Sequence, residues 1–155
     1  MKIGIVAVGH RLPGWADQAV QDYLQRFPRD FEVSLRQIRP EPRGQHPVQR
    51  LVKAEAERLR LAWAPARCIV ALDERGADWT TERLARQLGI WRDTGEHVAF
   101  VIGGPDGLDP SIRSAAAVQL RLSSMTLPHA LARVVLAEQL YRAWSILANH
   151  PYHRA

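Results

Sequence analysis

Three short segments hold residues whose types and spacing suit chemistry. Leu72-Asp73 ends the apolar run that starts at Cys68 and sets a carboxylate directly after it. Ile102-Gly103-Gly104-Pro105-Asp106-Gly107 ends a second apolar run. Gly103 and Gly104 let the backbone approach a ligand where a side chain would intrude, and Gly107 permits a positive φ. Leu122-Ser123-Ser124-Met125-Thr126-Leu127-Pro128 follows a third run and carries no charge, so its backbone amides and carbonyls suit a neutral base. A fourth group is His129 together with the C-terminal stretch His150-Pro151-Tyr152-His153-Arg154, which combines imidazoles, a phenol and a guanidinium. Plainer readings stand beside these: a tight turn, a packed crossover and a frayed terminus.

Several chemistries are excluded or disfavoured. The glycines follow neither the dinucleotide pattern G-x-G-x-x-G nor the phosphate loop G-x-x-x-x-G-K-[ST]. His150 and His153 straddle a proline with no acidic third ligand nearby, so no metal site is expected. The single cysteine, Cys68, lies in an apolar run, forms no intrachain disulfide and reads as a buried small hydrophobe.

These segments need a scaffold, and the hydrophobic period supplies one. Residues 2–8 form a near-continuous apolar strand; the short apolar N-terminus is broken by Gly4 and Gly9 and reads as this strand, not a signal peptide. Trp15 to Phe27 has helical spacing, residues 31–38 alternate as a strand, and residues 39–47 are a proline-rich loop. Val48 to Trp63 is a second helix and residues 68–72 a buried strand, followed by a turn at 73–76. A helix capped by Thr80 or Thr81 runs to about Asp93, and residues 97–102 are a strand. Asp109 caps a short helix with Pro110 at its first position, residues 118–122 are a strand, and Leu127 to Leu147 is the longest helix. Strands alternating with helices predict a single α/β domain over residues 1–155, with a mostly parallel sheet covered on both faces. Ligands in such sheets bind beyond the carboxyl ends of strands, where the first three segments fall.

Hydrophobic residues are 46% and charged residues 24% of the 155, which suits a globular core. The net charge of +5 favours polyanionic partners, and the basic residues are dispersed over a folded surface instead of concentrated in a tail. No apolar run is long enough to cross a bilayer, so a cytoplasmic protein is expected.

Together, Val6-Ala7-Val8-Gly9, Leu72-Asp73, Ile102 to Gly107, Thr126-Leu127-Pro128-His129, and Tyr141-Arg142-Ala143-Trp144-Ser145-Ile146 through Asn149-His150-Pro151-Tyr152-His153 resemble the SPOUT-superfamily enzymes that methylate N3 of a pseudouridine in bacterial 23S rRNA. The resemblance covers the full length, and the C-terminal motif is its most specific part. It implies a C-terminal trefoil knot, an exception to the rule that chains avoid knots. It implies S-adenosylmethionine held by Leu72, Asp73, Gly103, Gly104 and the 122–128 stretch (Leu122, Ser123, Ser124, Met125, Thr126, Leu127, Pro128). It implies a homodimer whose second subunit completes the site. The implied target is the pseudouridine of the helix 69 loop of 23S rRNA in the assembled ribosome.

N3 of pseudouridine carries a proton that must leave, and charge then develops on the flanking carbonyl oxygens. Arg154 or the Tyr152 hydroxyl suits that charge, and His153, ahead of His129, suits the proton. Arg133 and Arg142 on the last helix are candidate phosphate contacts, although an Arg142–Glu138 pair one turn apart competes with that role. The tryptophans read as core or subunit-interface residues, with Leu140 and Trp144 as one candidate part of that interface. The rival from another class is a non-catalytic RNA-binding factor of ribosome assembly, which the positive charge permits.

Overall fold

Ile3, Ile5 and Ala7 alternate with Val6 and Val8, and all five are buried, so the first strand is covered on both sides. In the computed structural model, which describes residues 1–9 and 11–154, that strand is β1 (Lys2–Val8). It is followed by α1 (Gly14–Gln25), β2 (Glu32–Ile38), α2 (Val48–Trp63), β3 (Cys68–Asp78) and α3 (Thr81–Asp93). The remainder is β4 (His97–Ile102), α4 (Pro110–Ala115), β5 (Val118–Arg121), α5 (His129–Leu147) and a short 3-10 turn, Pro151–Arg154. The five strands pair in parallel, in the order β2-β1-β4-β3-β5.

Two apolar layers hold the helices to the sheet. Ile3, Ile5, Val70 and Phe100 pack with Leu84 and Leu88 of α3 and with Leu136 and Leu140 of α5. On the opposite face Val6, Val8, Ala99 and Val101 pack with Ala56 and Leu59 of α2 and Ile112 of α4. Burying side chains of this size stabilises the fold by roughly 1.5–3 kcal/mol each. The capping signals act as expected. Thr80 accepts from the Arg83 N–H at 3.2 Å, and Asp109 accepts from the Ser111 N–H at 3.0 Å.

Three expectations are corrected. Residues 73–76 do not reverse the chain. Arg75 N–H donates to Asp73 Oδ1 at 2.8 Å, so the local turn chemistry is present. The strand nevertheless continues to Asp78, because Leu72 and Ala77 both register with Leu120 and the intervening residues bulge out of the ladder. Leu140 is fully buried within one chain and is therefore unavailable to a second subunit. Trp15 lies off the buried Ala16–Val20 stripe of α1 and is 58% exposed within one chain, so of the two readings for the tryptophans only the subunit interface remains for it. The last helix begins at His129, which leaves Leu127 in the preceding loop.

Candidate active site

The exits of β3, β4 and β5 reach the same edge of the sheet, since all three strands are parallel and adjacent. There they enclose a cavity of about 770 Å³. Its walls are Leu72–Arg75, Ile102–Leu108, Arg113, Leu120–Leu127, and His129 and Ala132 of α5. The three segments singled out in the sequence thus meet in one place. Leu72, Asp73, Gly103, Gly104, Leu122, Ser123, Ser124, Met125, Thr126, Leu127 and His129 all line the cavity, and Pro128 joins its rim to α5.

Each wall has a local cause. Gly107 N–H donates to the Gly104 carbonyl at 3.0 Å, closing a turn in which Gly107 takes φ +78°. A Cβ on Gly103 would stand 2.7 Å from the Gly107 carbonyl carbon, so only glycine lets this turn fold back on itself. Ser123 Oγ accepts from the Met125 N–H at 2.9 Å and bends the uncharged loop.

The charged rim was not legible in the sequence, because its pairs join distant elements. Asp73 meets Arg113 Nη1 at 3.4 Å, and Asp106 meets Arg43 at 3.2 Å. Arg121 pairs through two nitrogens with Asp78, and this guanidinium holds the Asp78 carboxyl below its ordinary range.

Glu55 of α2 was also missed. Its side chain is 6% exposed, and Oε2 accepts from the Glu41 N–H at 3.0 Å. Burial pushes its carboxyl above the usual range; the Glu41 N–H opposes this and nearby Asp106 adds to it. A group raised in this way stabilises the fold fully below its unfolded pKa, and that contribution is lost as pH rises through the folded value. Glu55→Gln keeps an acceptor for Glu41. It is expected to approach wild-type stability as pH falls to about 4 and to exceed it at about pH 7. Denaturant midpoints across that range check this, and a gap that fails to widen with pH contradicts it.

The C-terminal residues lie elsewhere. α5 has 19 residues; His129 stands at its start, on the cavity, whereas the turn at Pro151–Arg154 folds back from the C-terminal end onto Glu138, Tyr141 and Arg142, roughly 14–20 Å along the axis from His129. The turn packs on α1 and α5. The Tyr152 hydroxyl donates to Glu138 Oε1 at 3.1 Å and lies 3.2 Å from the Tyr23 hydroxyl, and the two rings at 152 and 141 meet at 4.8 Å. Burial first, then the Tyr23 hydrogen bond and the Glu138 charge, raise the phenol pKa, so Tyr152 stays protonated. Arg142 pairs with Glu138 as the competing reading expected, and lies 4.9 Å over the Tyr152 ring. His153 is half-buried, and its Nδ1 is enclosed without a hydrogen-bond partner. Arg154 is exposed and makes no ion pair among the described residues. The groups able to move a proton or meet a negative charge are therefore divided between the cavity rim, at His129, and a turn packed on α1 and the middle of α5.

Among the described residues no group of three or more His, Cys, Asp or Glu side chains is placed to hold a metal ion. No described helix is long and apolar enough to cross a membrane.

Comparison with known proteins bears on this arrangement. The family model described as "Predicted SPOUT methyltransferase" matches residues 1–153. The chain is 53% identical over 156 aligned residues to a Burkholderia ambifaria protein named "Ribosomal RNA large subunit methyltransferase H", with all of both chains covered. It is 54% identical to the protein of the same name from Variovorax paradoxus, covering 99% of each. Among solved structures, a "probable methylase family protein" from Haemophilus influenzae superposes with a TM-score of 0.60 at 15% identity, covering 96% of this chain and 69% of that one. At that identity the likeness speaks for the fold alone.

Proposed function

The chain belongs to the SPOUT methyltransferase family, and we propose that it methylates N3 of a pseudouridine in the helix 69 loop of 23S rRNA in the assembled ribosome, using S-adenosylmethionine. It works as a cytoplasmic homodimer, with residues 1–155 as one domain whose C-terminal segment is threaded through a trefoil knot. The observation that carries this reading is the convergence of three strand exits on one cavity of about 770 Å³.

The residues present fit the cofactor. The volume lies in the range of small-molecule sites, roughly 300–1,000 Å³. Leu72, Ile102, Leu120, Leu122 and Leu127 offer apolar surface for a purine, and the uncharged 122–128 loop offers backbone donors and acceptors. Asp73 and Asp106 add carboxylate acceptors to the wall, each paired with an arginine, Arg113 and Arg43. When bound, S-adenosylmethionine supplies an electrophilic methyl group.

The protein's own work is to position the base and manage one proton. The Tyr152 phenol is committed to Glu138, so its part is to hold the C-terminal turn in place. Arg154, exposed and without an ion pair among the described residues, stabilises the charge that develops on the base carbonyls. His153 takes the N3 proton through Nε2, since Nδ1 is enclosed. His129 stands at the cavity rim and orients the base. Within one chain the C-terminal turn packs on Glu138 and Tyr141, about two and a half helical turns or more beyond His129, and lines no part of the cavity, which supports a site built from one protomer's cavity and its partner's C-terminal turn.

Calorimetric titration with S-adenosylmethionine tests the reading. Binding is expected near one ligand per chain and should be blocked by S-adenosylhomocysteine. A folded protein that binds neither leaves the RNA-binding assembly factor as the better account.

A further inference from the structure

Arg133, in the second turn of α5, is 2% exposed. Its Nη2 donates to the Val8 carbonyl, at the carboxyl end of β1, over 3.0 Å. Nε and Nη1 are enclosed with no hydrogen-bond partner, and no carboxylate among the described residues pairs with this guanidinium. Burial lowers its pKa, yet a guanidinium stays charged in any ordinary solution. An unpaired buried charge is expensive, and bulk water does not reach these two nitrogens. A guanidinium left in this state favours a bound anion at this position.

The surroundings say which sign that acceptor carries. Leu12, Ala16 and Val20 pack with Ala130, Val134 and Ala137, and further along Tyr23 meets Tyr141 at 6.3 Å. α1 and α5 therefore run side by side in the same direction, both starting at the carboxyl edge of the sheet. Both N-caps are prolines, Pro13 and Pro128, and neither helix has a side-chain cap. Two uncapped N-termini with aligned dipoles make this corner electropositive. Exposed Arg11 adds a charge with no ion pair among the described residues, and Asp17, in the first turn of α1, makes none with Arg133. Gly9 has φ +154°, and a Cβ there would collide with Arg133 Nη2, so the chain leaves room for the fork at this point.

We propose that Arg133 and the N-termini of α1 and α5 form an anion site that takes one phosphate of the RNA backbone, at the edge of the methyl-donor cavity. The site rests on the RNA-methyltransferase reading for the identity of its polyanion. Arg133 itself does not line the cavity, whereas His129, one turn earlier, and Ala132, the residue before it, do. A phosphate held here anchors the strand whose base enters the cavity, so Arg133 is a docking residue and takes no part in methyl transfer.

Arg133→Met and Gly9→Ala, assayed on ribosomes lacking the modification, test this. Each is expected to raise KM for the ribosome about tenfold with kcat unchanged; Arg133→Met should also lower the slope of log affinity against log salt by about one. S-adenosylmethionine affinity should remain at the wild-type value. For the wild-type protein, inorganic phosphate is expected to shift the Arg133 Nε–H resonance, a readout that needs no variant to fold. Wild-type KM and salt slope in Arg133→Met overturn the proposal. So does loss of cofactor affinity, which would assign the fork to the cavity, or conversion to monomers, which would assign it to the subunit contact. If the variants do not fold, an Nε–H signal unmoved by phosphate overturns it instead. If wild-type protein methylates no ribosome, the functional reading fails, while the phosphate titration still reports on the site.

Discussion

Replacing Arg154 by alanine is expected to lower the single-turnover methylation rate by about two to three orders of magnitude, the usual loss when one donor to a developing negative charge is removed. S-adenosylmethionine affinity is expected to stay within about twofold of wild type, because within one chain the C-terminal turn contributes no residue to the cavity walls. A second experiment asks whose arginine acts. Gly103→Ala should block the cavity, since its Cβ would stand 2.7 Å from the Gly107 backbone and force the 103–107 turn open. Mixed in equal amounts and allowed to exchange subunits, the two inactive variants should recover roughly a quarter of wild-type activity. Half of the dimers are then mixed, and each mixed dimer has one site with an intact cavity and an intact turn. No recovery after demonstrated exchange would mean that each protomer uses its own turn, which would have to leave its packing on Glu138 and Tyr141 to do so. Within the same series, a retained rate in His153→Ala would remove His153 as the proton acceptor and move that role to His129.

What the sequence made legible follows from which interactions are local. β1, β4 and the helix at Val48–Trp63 were readable to the residue, because burial on both strand faces and helical spacing of Val48, Leu51, Val52, Leu59 and Trp63 leave periodic traces, although Val48 itself is exposed. The three cavity segments were readable because a parallel sheet gathers its strand exits at one edge. The continuation of β3 to Asp78 was not, since Asp73-Glu74-Arg75-Gly76 has real turn chemistry and only pairing with β5 tells a bulge from a reversal. Nor was the inward role of Tyr152, whose partners Tyr23 and Glu138 are 129 and 14 residues away. Arg133 was visible as a cation, but its enclosure beneath Gly9 depends on the α1–α5 packing. In each miss the deciding contact joins elements far apart in the chain, where hydrophobic period carries no information.

Gly76 is where that long-range packing is least forgiving. A Cβ at this position would stand 2.7 Å from the Gln119 carbonyl carbon and from both the nitrogen and the carbonyl carbon of Leu120. All three are backbone atoms, so no rotamer change relieves the clash. β5 would have to move, yet its ladder to β3 is anchored on both sides of the bulge, at Leu72–Leu120 and at Asp78–Arg121. Gly76→Ala is therefore expected to destabilise the protein by about 3 kcal/mol, at the upper end of ordinary overpacking. For a chain of this length that is a fall of roughly 6–12 °C in Tm. Residues 73–75 line the cavity, so cofactor affinity should fall with it, by about tenfold if the loss is near 1.4 kcal/mol. Gly14→Ala is the control: nothing lies within 4 Å of its added Cβ, and a helical alanine there should be neutral or stabilising by up to about 1 kcal/mol. Calorimetric unfolding of both variants decides the matter. A Gly76→Ala protein that melts within about 2 °C of wild type and binds the cofactor normally would mean that β5 gives way freely. The cavity would then rest on a looser crossing than the backbone geometry at Gly76 requires.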